Sequence, residues 1–205
     1  MAIFVFFISL LFALLEIEIE GKNGWAKKLP TWYRKSNYSK FFPIIAAKKP
    51  LTGYHLFMLI FMLLAFHSGF FFGLTWNLYN EGLIFLSLLI FIITEDFLWF
   101  QFNPFYGRKN FKKEKIWWDS KQKWILNFPM EFFRGILIIL FFSLIVSAFY
   151  KNFTFLYEIA ETMIIILLLT LLSKIFVKNY RRWYKKMREI DESKFFNRKI
   201  KFDKF

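Results

Sequence analysis

LIFLSLLIFIITEDFLWFQF, residues 83 to 102, decides the fold of this chain. Its twenty residues would rise about 30 Å as an α-helix, the thickness of a bilayer's hydrocarbon core. The run is continuously apolar. It lacks the alternation of a barrel strand and the polar face of a surface helix, so its side chains must meet lipid or other helices on every side. Two acids, Glu95 and Asp96, interrupt it near its C-terminal end.

Four comparable runs flank this one, over residues 2–20, 54–76, 132–150 and 153–177. A secretory signal is the rival reading of the first, but it needs a basic leader, and neither Lys nor Arg precedes Lys22. The chain therefore reads as an all-α, polytopic bundle of five transmembrane helices, joined on one side by loops 21–53 and 104–131 and followed by a basic tail, 178–205. Composition agrees: 57% of the 205 residues are hydrophobic and 32 are Phe, too much apolar surface for a water-soluble fold of this size to hide. Pro30, Pro43, Pro50, Pro104 and Pro129 fall outside the runs or at their boundaries, where a missing N–H costs least.

Charge sets the expected orientation. Of 29 Lys and Arg, all but Lys151 lie in the 21–53 loop, the 104–131 loop, the start of the fourth run at Arg134, or residues 174–205. The positive-inside rule puts those segments in the cytoplasm, with the N-terminus outside and the C-terminus inside, in a plasma or inner membrane. The eight Trp sit at or beyond the run ends, as expected of rings at the headgroup level, and the stretch Trp117 to Trp124 reads as an interfacial segment on the membrane surface. A net charge of +14 is also what a nucleic-acid binder carries. Topology and attraction to anionic inner-leaflet lipid explain it more simply, at about 1 kcal/mol per surface Lys or Arg.

Several chemistries are closed. The chain has no Cys, which removes disulfides, thiolate metal sites and cysteine nucleophiles, and its two His cannot furnish a poly-His metal centre. No phosphate-binding glycine loop, nucleophile elbow or HExxH motif occurs.

Ionisable groups inside a membrane are costly, at least about 2.5 kcal/mol at the centre, so they mark the candidate site. Glu16 and Glu20 are one turn apart on one face of the first helix, with Glu18 directed elsewhere. His55 opens the second helix, Glu95 and Asp96 close the third, and Glu131 and Arg134 open the fourth. Alternating helix directions bring all of them to a similar depth near the basic side. Glu95, Asp96 and His55 are the expected catalytic groups, and Glu16, Glu20, His55, Glu95 and Asp96 the expected ligands of a divalent cation. The competing reading makes Arg134 the ion-pair partner of Glu95 or Asp96, as structural glue. Asn103, on the Asp96 face, is either at the cavity mouth or a C-terminal cap. His67 is about 18 Å along the helix from His55, too far to share one ion, and suits a helix–helix hydrogen bond. Glu158 and Glu161, at the other end of the fifth helix, are within reach of His67 or Glu81 by the same reasoning.

Three functions follow. The first is a membrane-embedded enzyme acting on a lipid-like substrate through the acidic and His cluster, favoured because the charges converge at one depth. The second is a proton- or cation-coupled transporter or a pore subunit working as a homo-oligomer. The third is a non-catalytic anchor whose basic loops recruit an acidic partner.

Overall fold

A computed structural model describes residues 1–27, 29–31, 51–107 and 110–195, with side chains described as far as Arg188. Much of the 21–53 loop, including Asn37 with its Asn-x-Ser pattern, lies outside the described residues, as does the end of the tail. Five helices are long and apolar enough to cross a membrane: α1 (Ala2–Glu20), α2 (Gly53–Phe71), α3 (Leu78–Phe102), α4 (Met130–Tyr150) and α5 (Thr154–Phe195). The architecture is that of a multi-pass helical membrane protein. With all backbone bonds closed within each helix, no polar main-chain group inside the hydrocarbon is left for water.

The helix α3 is the hub. It packs against each of the other four, most extensively against α1, while α4 and α5 pack against each other and α5 also meets α1. Small residues permit the closest approach: Ala2, Ser9 and Ala13 are buried on the α1 face, and the Ser9 hydroxyl donates to Val5 O at 2.7 Å and reaches Phe91 O of α3 at 3.4 Å. The bulky side chains go the other way. Phe4, Phe7, Leu11 and Leu15 of α1, Phe57 and Phe61 of α2, and Leu167, Leu171 and Ile175 of α5 are exposed on the bundle's outside, where lipid solvates them as well as a protein core would.

The ends of the helices differ from the sequence expectation in two places. Helix α2 stops at Phe71 rather than residue 76, because Gly73 turns the chain with φ +102° and the Leu74 N–H bonds back to Gly69 O at 2.9 Å. Helix α3 begins at Leu78, five residues before the continuous apolar run, because Asn77 is its N-cap: the side chain accepts from the Asn80 N–H at 2.8 Å, and Glu81 supplies the acid of the first turn. Helix α5 continues unbroken for 42 residues, well past Val177, as the sequence from Asn179 to Lys186 reads: a helical extension of the fifth span. Its basic extension folds over the bundle. Arg181 donates to Gln101 O at 2.6 Å and Phe102 O at 3.3 Å, and Arg188 donates to Glu18 O at 3.1 Å, so two guanidinium groups occupy carbonyls that the last turns of α3 and α1 leave open.

Part of the segment 110–129 packs inward against α3. Trp118 is buried, its ring parallel to Phe100 at 5.9 Å and edge-on to Trp99 at 5.8 Å, and Ile116 is buried beside it. A two-residue antiparallel bridge, β1 (Trp124–Ile125) with β2 (Phe128–Pro129), turns through Leu126 and Asn127, both with left-handed φ, and delivers the chain to α4. Gln122 fastens this segment at both ends, donating to Asp119 Oδ1 at 2.7 Å and accepting from the Glu131 N–H at 3.3 Å.

Candidate functional site

Helices α2 and α4 flank α3 without extended contact between them. The gap is a cavity of about 480 Å³, within the usual range of small-molecule pockets. Its back wall is α3, from Leu89 to Phe100, about 16 Å along the axis. Met58 and Leu59 of α2 form one side, and Arg134, Gly135 and Ile138 of α4 the other. Toward the basic end the lining is polar and aromatic; toward the middle of the bundle it is Leu89, Ile92, Ile93 and Ile138. Beyond that floor the bundle is closed by buried apolar side chains, among them Val5, Met62, Phe66, Leu86, Phe155 and Ile159.

The acids meet as their spacing and helix directions require. Glu16, Glu20, His55, Glu95, Asp96, Glu131 and Arg134 all line this one cavity. Glu16, Glu20 and Glu95 are each more than nine-tenths buried, whereas Glu18 is half-exposed and faces Arg188 at 4.0 Å. Glu16 has Glu20, Asp96 and Glu95 as electrostatic neighbours, with the Tyr54 side chain beside it.

Not every acid is equally available. Glu20 accepts the N–H of Trp25 at 3.1 Å and of Ala26 at 2.6 Å, and its Oε1 lies 3.7 Å from His55 Nε2. His55 is held on its other side by Thr52, whose Oγ1 is 2.6 Å from Nδ1, and the Trp25 ring stacks on the imidazole with centroids 4.0 Å apart. The Thr52 hydroxyl also accepts the His55 N–H at 3.2 Å as the N-cap of α2. Glu20, His55 and Thr52 thus join the end of α1 to the start of α2.

Glu95 is different. It is 5% exposed, and its Oε1 has no hydrogen-bond partner among the described residues. One turn further along α3, the Trp99 Nε1–H is likewise buried and unpartnered. An unmet acceptor and an unmet donor therefore stand on one face of α3, and both residues line the cavity. A buried polar atom left without a partner costs about 1–3 kcal/mol, and this pair offers one acceptor and one donor. No ion pair joins Arg134 to Glu95 among the described residues, and Arg134 stays exposed at the cavity's edge. Nor, among the described residues, do three His, Asp or Glu side chains converge closely enough to hold one metal ion.

Residues read as peripheral have structural roles. Asn103 is fully buried outside the cavity, where its amide donates to Gly21 O at 2.9 Å and its carbonyl accepts the Phe105 N–H at 2.9 Å, tying the ends of α1 and α3. His67 bonds Glu81 of α3 at 3.1 Å, a helix–helix contact at the far end of the bundle, and Glu158 lies beside Tyr79. The aromatic walls were not legible as site residues: Trp25, Trp99, Trp118 and Phe100 line the cavity, yet in sequence the three Trp read as boundary rings and Phe100 as part of an apolar run. Outside the membrane-spanning segments, burial and then nearby Glu20 push the Tyr106 phenol above its ordinary pKa, against a lowering contact from the Gly24 backbone.

No protein family, curated protein or solved structure matches this chain. Its five apolar helices define the class, a multi-pass membrane protein, and the cavity is the ground on which an activity can be argued.

Proposed function

We propose that this protein is a membrane-embedded enzyme acting on a lipid-like substrate, which enters sideways from the bilayer between α2 and α4 and seats its polar head against Glu95 and Asp96. The observation that carries this is the gradient inside one cavity: acids, indoles and Arg134 at the basic end, aliphatic side chains at the other. An amphiphile in the leaflet on the basic side has that same order of parts. Glu95 is the candidate acid or base, since its free Oε1 can exchange a proton with a head-group atom, and Glu16 and Asp96 are its carboxyl neighbours. His55 positions Glu20 and the wall that carries Trp25. A path across the whole membrane has less support, because the apolar half beyond Leu89 is packed shut.

The basic end is proposed to face the cytoplasm, as the positive-inside rule requires. The stripe Lys174, Lys178, Arg181, Arg182 and Lys185 along α5 then meets anionic headgroups there, and supports binding to acidic lipid better than to nucleic acid.

The test begins with protein purified in a maltoside detergent and extracted for bound lipid, which mass spectrometry is expected to find at a fixed ratio to protein. Incubation with total lipid extract should consume one lipid class, and Glu95→Gln should retain the bound lipid while losing at least a hundredfold in turnover, the usual contribution of a proton-transfer group. Turnover that survives amide replacement of both Glu95 and Asp96 would refute the enzyme reading.

A further inference from the structure

Most polar groups that line the cavity are engaged by others. Glu20 accepts the N–H groups of Trp25 and Ala26, His55 meets Thr52 and Glu20, and Asp96 and Glu131 have interactions of their own. Two buried side-chain atoms of the lining have no hydrogen-bond partner, Glu95 Oε1 and the Trp99 Nε1–H. One accepts and the other donates. Resting on the lipid-site reading above, we infer that the head group taken by this cavity carries a free hydroxyl, which donates its hydrogen to Glu95 Oε1 and accepts the indole N–H of Trp99.

Three features argue for that class. A hydroxyl brings one hydrogen and two lone pairs on a single atom, whereas an ammonium brings donors alone and an ether or ester oxygen acceptors alone. The spacing agrees with a single bridging atom. Residues four apart on a helix hold their Cβ atoms about 5–6 Å from each other, and one oxygen with two hydrogen bonds of about 2.7–3.0 Å spans a similar gap. Both groups are also fixed in place. Glu95 is 5% exposed and Trp99 4%, and the Trp99 ring is held between Phe100 at 5.1 Å, Tyr106 at 5.0 Å and Trp118 at 5.8 Å.

The rivals fit less well. An ammonium head satisfies Glu95 but leaves the Trp99 N–H unmet. An ionised phosphate head offers acceptors to Trp99 and no hydrogen to Glu95, and its natural place is the basic stripe on α5. A water molecule makes both bonds, but Leu89, Ile92, Ile93 and Ile138 give the cavity an aliphatic half that favours an oxygen carried on a hydrocarbon chain.

The experiment measures saturable binding of tritiated dodecanol to the full chain in nanodiscs of dimyristoyl phosphatidylcholine, a lipid with neither a hydroxyl nor an N–H, with amounts taken per mole of lipid. Two competitors of the same chain length are compared with unlabelled dodecanol: dodecyl methyl ether, which accepts but does not donate, and dodecylammonium, which donates but does not accept. The ether is expected to displace the label at an amount about tenfold higher than the alcohol, the usual effect of leaving a buried acceptor unmet, and the ammonium is also expected to be weaker than the alcohol. Glu95→Leu, which removes the acceptor, should bring alcohol and ether to the same affinity. The wild-type comparison needs no variant, so poor folding of Glu95→Leu would leave it intact. Equal displacement by the ether overturns the hydroxyl assignment and leaves the lateral lipid cavity standing. Stronger displacement by the ammonium does the same and makes the head group a cation. If dodecanol does not bind saturably while lipid still co-purifies at a fixed ratio, the hydroxyl assignment falls alone; if neither is found, the cavity reading falls with it.

Discussion

Gly24 lies against the Trp118 indole, where a β-carbon would overlap the ring atoms directly. The ring cannot retreat, since Trp99, Phe100 and Tyr106 surround it. Gly24→Ala should therefore destabilise the protein by about 1–3 kcal/mol through overpacking, a fall of several degrees in Tm measured in detergent. Because Trp118 is also a cavity wall, the same variant should bind bound lipid less well. Thr52→Val tests the neighbouring tie. It removes the N-cap of α2 and the hydroxyl on His55 Nδ1, for a loss of about 1–2 kcal/mol, whereas Thr52→Ser should recover most of it. Tyr106 gives a pH-dependent signature. Its phenol donates to Lys22 O at 3.1 Å, and burial raises its pKa in the folded state, so its contribution is present below tyrosine's ordinary value of about 10 and is lost as pH rises through the folded pKa. Stability of the wild type should fall on the alkaline side of that value, and Tyr106→Phe should show a shallower fall in a pH series of thermal melts.

At the scale of elements, the five spans could be read before any coordinates from hydropathy, and the meeting of the acids in one cavity is what the direction reversal of successive helices leads one to expect. Helix ends could not be read so. The start of α3 depended on Asn77 as a cap, a local hydrogen bond that hydropathy does not register. The docking of Trp118 was hidden for a different reason: a Trp among lysines has the composition of a headgroup-level ring, and only its partners Trp99 and Phe100, on another element, pull it inward. Likewise Glu20 and Glu95 look alike in sequence, and it is the N–H groups of Trp25 and Ala26 that occupy the one and leave Oε1 of the other open. The extension of α5 yields the element-scale prediction. Arg181→Gln should leave the carbonyls at the end of α3 poorly satisfied and cost about 1–2 kcal/mol, seen as a lower Tm with the α-helical circular dichroism unchanged at room temperature.

For the molecule as a whole, the absence of Cys is an experimental convenience, since single cysteines can be introduced without removing any. Lys121→Cys and Lys185→Cys, in the 104–131 loop and on the basic face of α5, should react with a membrane-impermeant maleimide from the same side of a sealed vesicle. Asn152→Cys, in the turn between α4 and α5, should react only from the other side. Labelling of Lys121→Cys and Asn152→Cys from one face would break the five-span arrangement and with it the common depth of the carboxyls. A cavity that closes at mid-bundle also predicts that proteoliposomes leak protons and cations no faster than empty vesicles, measured by a pH-sensitive dye under an imposed gradient.

The two arginines that α5 lays over the ends of α1 and α3 carry a further consequence for biogenesis. A ribosome makes α1 and α3 before Arg181 and Arg188, so during synthesis both helices precede the guanidinium groups that meet their C-terminal carbonyls, and α5 has to be made before those bonds can form. Completion of both helix ends therefore waits on the synthesis of α5. A chain cut within α5 before Arg181 would leave those carbonyls of α1 and α3 without their guanidinium partners.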